Sequence, residues 1–187
     1  MTIKKFDGTF LSCLLISLLL LLCSSQASAA RVVTEQRDHL TPEEVELVRG
    51  AQMLDVRTAV FIKAIERRLM ALTDPSAASS RQVQKDMKKW GELPRGTRKE
   101  LLTDMAKILG EASTNIDDVA ARDPKNTLLP KALQALASAS TRFLSQLKPF
   151  RAQLEGAERE ALEQAIENAQ LIVEAADRLP SDTKTKN

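Results

Sequence analysis

Between Thr97 and Arg122 the apolar side chains recur every third or fourth position: Leu101, Met105, Ile108, Ala112, Ile116 and Val119. At about 100° per residue this spacing gathers them on one stripe of an α-helix. A helix cannot bury its own stripe, so the pattern requires partner helices. Asp123-Pro124 closes the segment, because proline disfavours helical backbone in the residue before it.

Three more segments repeat the pattern. The first opens at "TPEE", where Thr41 can cap, Pro42 suits the first turn and Glu44 completes a capping box. Its stripe runs from Leu47 through Ala51, Leu54, Phe61 and Ile65 to Leu72, which predicts one helix ending near Thr73, before Pro75. Another begins near Leu128 and carries Leu129, Leu133, Leu136, Ser140, Leu144 and Leu147. There the spacing continues through Phe150 and Leu154, so Pro149 reads as a kink and Gly156 as the stop. The last covers roughly Ala157 to Leu179, with an inward face rich in alanine that allows close approach between helices.

Tyrosine is absent, and glycine and proline are few, which favours helix over sheet. The expected fold is all-α, an antiparallel four-helix up-down bundle with a short extra helix in the first connection. That connection, from Asp74 to Gly96, is too long to be structureless inside a compact bundle. Ser79 or Ser80 can cap a short helix through Lys89, with Gly91 ending it. Val83, Met87 and Trp90 then share one side as a docking face. Opposite the main stripe of the first helix, Met53, Val56 and Val60 form a second apolar row for that face to cover.

The amino terminus reads as an address. Lys4 and Lys5 precede an apolar run from Phe10 to Cys23, followed by "SSQASAA" with small residues at Ala27 and Ala29. That run is short of the roughly 20 apolar residues of a spanning helix and fits a secretory signal peptide. The expected organisation is a cleaved signal at 1–29, a flexible lead-in at 30–40, the helical domain at 41–179 and a disordered polar tail at 180–187. Localisation follows as exported, either periplasmic or secreted. Both cysteines, Cys13 and Cys23, lie in the signal, so the mature chain has no disulfide and no thiol nucleophile.

The inventory of reactive groups is thin. His39 is the single histidine and falls in the lead-in, which predicts a solvated side chain. One peripheral histidine and no mature cysteine remove ordinary structural zinc, haem attachment and serine–histidine catalysis. No glycine-rich phosphate loop is present. No catalytic residue, no metal ligand and no cofactor is therefore assigned, and a catalytic role is the weakest expectation.

Three groups of residues remain as candidate surfaces. Asp104, Glu111, Asn115 and Arg122 line one edge of the second helix, as a polar seam or a carboxylate-lined cleft, and Asn168 sits comparably on the fourth helix. Arg81, Lys85, Lys88, Lys89, Arg95, Arg98 and Lys99 form a basic run opposed by Asp86 and Glu92. The net charge of +2 is too small for a general nucleic-acid binder, and Trp90 stands alone among the basic residues. Met53, Val56, Val60, Val83, Met87 and Trp90 form the docking or interface group. The function expected from these features is a non-catalytic binding or structural role in the cell envelope or extracellular space. Its partner is a protein or an anionic envelope component, and self-association is compatible with the second apolar row. The alternative is a ligand-binding or sensor module using the carboxylate edge.

Overall fold

The computed structural model describes residues 37–74 and 76–179; the segment expected to be a signal peptide, the first part of the expected lead-in and the expected polar tail lie outside the described residues. The fold is all-helical, and no described residue is in a strand. Among the described residues six helices pack on one another: α1 (Pro42–Gly50), α2 (Leu54–Thr73), α3 (Arg81–Trp90), α4 (Arg98–Arg122), α5 (Leu128–Leu147) and α6 (Gly156–Asp177). Short 3₁₀ turns at Ala77–Ser79 and Lys148–Ala152 precede α3 and follow α5.

The first predicted helix is two helices. It breaks at Ala51–Met53, where Ala51 takes an extended conformation behind Gly50, and Asp55 in the first turn of α2 accepts the Val56 amide. The apolar spacing runs unbroken through this point, which is why periodicity alone reads one helix. The break turns α1 back along α2 and brings Glu44 onto Arg67 and Arg68. In a continuous helix those residues would stand roughly 35 Å apart.

Pro149 ends α5 instead of kinking it. Its nitrogen cannot donate to the preceding turn, and the chain tightens into the 3₁₀ segment before Gly156, at φ 53°, opens α6. Phe150 and Leu154 nevertheless pack into the core, so the periodicity located their burial correctly.

Direction and adjacency come from side-chain pairs. Lys131 meets Asp55 at 2.7 Å and Arg142 meets Glu66 at 3.4 Å, so α2 and α5 run the same way. Arg98 reaches Glu158 and Asn168 Nδ2 donates to the Ala106 carbonyl at 2.8 Å, so α4 and α6 also run together. α2 lies beside α4 and α5, α6 lies beside the same two, and α2 and α6 do not touch. In a plain up-and-down order, helices of like direction would stand diagonally; here they are neighbours, while α4 and α5 approach each other little. Small side chains on the α4 and α6 faces (Ala106, Ala165, Ala169) permit that side-by-side packing.

One continuous core results, with Phe61, Ile65, Leu102, Met105, Leu109, Leu136, Phe143, Leu147 and Leu162 almost fully buried. Each such side chain contributes roughly 1.5–3 kcal/mol. Two smaller apolar clusters hold α3. Trp90 packs with Ala51 and Val60, and Val83 packs with Ala77 and Leu93.

Candidate functional site

α3 begins because the Ser80 hydroxyl accepts the Val83 amide, and it stops at Gly91, whose φ of 66° and ψ of −169° suit glycine. Val83 and Trp90 face inward. Arg81, Lys85 and Lys88 then fall at i, i+4 and i+7 on the outward face, all exposed. None of these three pairs with a carboxylate among the described residues.

Trp90 is fixed by more than its apolar neighbours. The Arg67 guanidinium lies 5.9 Å from the centre of its ring, and the Lys89 ammonium is at the same distance. Arg67 Nη2 also donates to the carbonyls of Gly91 and Glu92, which ties down the end of α3. Its Nε donates to Glu44 Oε1 at 3.1 Å. Desolvation lowers the Arg67 guanidinium from its ordinary value, and the Glu44 carboxylate opposes that effect.

Glu44 is the centre of this cluster, with no exposed surface. Besides Arg67 it takes Arg68 Nη1 at 2.7 Å, and its second oxygen accepts the Thr41 amide at 3.0 Å. Arg68, 1 % exposed, donates further to Ala64 O at 3.0 Å and His39 O at 2.6 Å. Its Nε has no hydrogen-bond partner and lies 3.9 Å from Asp104 Oδ2. A single carboxylate between two buried arginines is held by further hydrogen bonds from both guanidinium groups to backbone carbonyls; breaking one member leaves a buried charge.

The polar edge of α4 is closed by the chain's own lead-in. Arg37 Nη2 donates to Asp104 at 2.7 Å, and His39 Nε2 lies 2.7 Å from Glu111 Oε2, with its Nδ1 3.3 Å from Asp38. The expected solvated, flexible lead-in is thus corrected from Arg37 onward. Leu40 is buried in the core, and His39 is only partly exposed. Asn115 and Asn168 do not pair with each other. Asn115 Oδ1 is buried without a partner, and Asn168 bonds the α4 backbone. Arg122 stays exposed on its own helix, donating to Asp118 O at 3.0 Å.

The predicted basic run is divided among several places. Arg95 pairs with Glu92, Arg98 with Glu158, Lys89 stands over Trp90, and Lys99 lines a groove between α4 and α6. Arg81, Lys85 and Lys88 alone form a common outward stripe. The docking group is likewise split. Val60, Val83 and Trp90 are buried, whereas Met53 and Val56 are about half exposed and Met87 lies at the surface. Comparison with protein-family models, with curated proteins and with solved structures finds no match.

Among the described residues, no group of three or more His, Cys, Asp and Glu side chains is placed to hold a metal ion. No helix among them is long and apolar enough to cross a membrane. Glu44, Arg67 and Arg68 escaped the sequence reading as a site. Glu44 has a complete local explanation as a capping-box residue, and its partners are 23 and 24 positions away.

Proposed function

We propose that this is an exported four-helix-bundle protein with a binding role in the cell envelope, and that its partner surface is anionic phospholipid. In this reading α2, α4, α5 and α6 make the bundle, and α1 and α3 are packed on it. The observation that carries the proposal is the outward stripe of Arg81, Lys85 and Lys88 on a helix fixed from behind by Val83 and Trp90. The three cations span roughly 10 Å of helix, and each contributes about 1 kcal/mol near an anionic lipid surface. A rigid platform keeps the charges together without ordering them at the moment of binding.

The reading that uses the α4 edge as a ligand site has less support, because Asp104 and Glu111 are already engaged by Arg37 and His39. The test is co-sedimentation with vesicles. Binding to phosphatidylglycerol vesicles, weak on zwitterionic ones, should fall with salt and with Arg81, Lys85 and Lys88 all changed to Gln. Equal retention of that triple variant and the parent chain on anionic vesicles would overturn the assignment.

A further inference from the structure

A different face of the protein holds an open groove with exposed charges along both of its edges. α4 and α6 run side by side in the same direction, and a groove of about 430 Å³ lies open between their outer edges. Lys99 and Lys107 line it from α4, and Glu160 lines it from α6. Glu167 stands exposed on the same flank of α6 as Glu160, two turns on. The groove is therefore basic along one helix and acidic along the other. Leu171, 56 % exposed, continues the groove-facing side of α6 one turn past Asn168. It is a large apolar side chain that no described residue covers.

Register gives these residues a meaning. Arg98 is level with Glu158, and Ala106 with Asn168. Counting along both helices, Lys107 stands level with Glu167, and Gly110 with the turn around Leu171. Gly110 has no side chain on the groove floor, and a Cβ built there would meet nothing closer than Asn168 Nδ2 at 3.8 Å.

We propose that two copies of this chain associate in parallel through the α4–α6 groove, with Leu171 of each copy seated over Gly110 of the other. The charge pattern selects this arrangement. A twofold axis along the helices lays each copy's α4 on the other's α6, so Lys107 meets Glu167 of the second copy at its own height, twice over. An axis across the helices would instead oppose lysine to lysine and glutamate to glutamate. Isologous contacts of the first kind close as a dimer and leave no open end. The flanking pairs set direction and partner, as charged positions beside a coiled-coil seam do, while the leucine supplies apolar burial. This interface is independent of the basic stripe on α3, and the two succeed or fail separately.

Sedimentation velocity over a concentration series tests it without any ligand. The parent chain should move from the mass of one copy to that of two. Lys107→Glu and Glu167→Lys should each weaken association by about tenfold or more. Mixed in equal amounts, these two variants should recover the dimer, because each then finds the opposite charge at both flanks. Leu171→Gln, an exposed position that leaves the fold intact by circular dichroism, should also weaken it. A single-copy mass at every concentration would overturn the proposal. So would a mixture of the charge variants that stays as weak as either alone, or a Leu171→Gln chain that dimerises like the parent.

Discussion

Arg67 spends its donors on three groups at once, the Glu44 carboxylate and the carbonyls of Gly91 and Glu92, while its plane attends the Trp90 ring. Its neighbour Arg68 takes the other side of Glu44 and holds the lead-in by the His39 carbonyl. The consequence is testable by Glu44→Gln. Glutamine keeps the capping-box geometry at Thr41, so a cap effect alone predicts little loss. Removing the charge leaves buried Arg67 without an ion-pair partner and Arg68 with only the Asp104 carboxylate at 3.9 Å, and urea unfolding should show a loss of about 3–5 kcal/mol. Thr41→Ala, which touches only the cap, should lose about 0.5–2 kcal/mol. A cost for Glu44→Gln no larger than that of Thr41→Ala would mean that Glu44 acts only through the cap. At this scale the sequence showed the cap and concealed the ion pair. Local spacing is legible from a chain, whereas a partner more than twenty residues away depends on a break that the apolar pattern does not mark.

Elements were legible wherever one residue type settles the backbone. Ser80 and Gly91 bound α3 as expected, Thr97 caps α4 through Glu100, and Asp123 ends it before Pro124. The break at Ala51–Met53 was missed because no proline marks it and the stripe keeps its phase across it. Trp90 was legible as a docked residue, but its receiving surface changed. Ala51 at the break and Val60 cover it, while Met53 and Val56 do not take part. Because α3 is held through its end, Gly91 is its most sensitive position. Its φ of 66° with ψ of −169° belongs to a region that is essentially glycine's alone. A Cβ there would also come within 2.6 Å of the Glu43 side chain, which must move aside. Gly91→Ala should therefore cost about 1–3 kcal/mol, expressed as loosening of α3. Trp90 reports it directly as the single tryptophan. The parent chain should emit to the blue and resist iodide quenching, and the variant should shift to the red and quench more readily. An unchanged spectrum in Gly91→Ala would show that the Val83 and Trp90 contacts hold α3 without its terminus.

The neighbour order of the long helices is a property of the whole molecule, and periodicity carries no information about it. A stripe states that a helix has partners and leaves open which ones. The charged edges come closer to specifying the answer: Asp55 with Lys131, Glu66 with Arg142, and Arg98 with Glu158 tie together the pairs that run in parallel. Asp104 has a different role, since it joins α4 to α2 through Arg68 and to the lead-in through Arg37. Burial raises its carboxyl above the ordinary 3.8, outweighing the pull of Arg37, Arg68 and His39. The sign of the pH effect follows from that direction. Between 3.8 and the raised value the folded chain binds the Asp104 proton more tightly than the unfolded chain does, so this group's contribution to stability falls as pH rises through the interval. Asp55 and Glu100 work in the opposite sense. Hydrogen bonds from Lys131 and from the Thr97 amide lower their carboxyls, so their contribution is lost as pH falls. The net acid profile mixes both, and Asp104→Asn isolates one of them because the amide does not titrate. Urea unfolding of parent and variant should then be compared from pH 3 to pH 7. The stability of the parent relative to Asp104→Asn should be greatest at the acid end and decline as Asp104 ionises, levelling off once it is fully charged. A relative stability that instead climbs with pH would mean that the Arg37 and Arg68 charges dominate over desolvation, and that ionised Asp104 is a net stabilising link between α4, α2 and the lead-in.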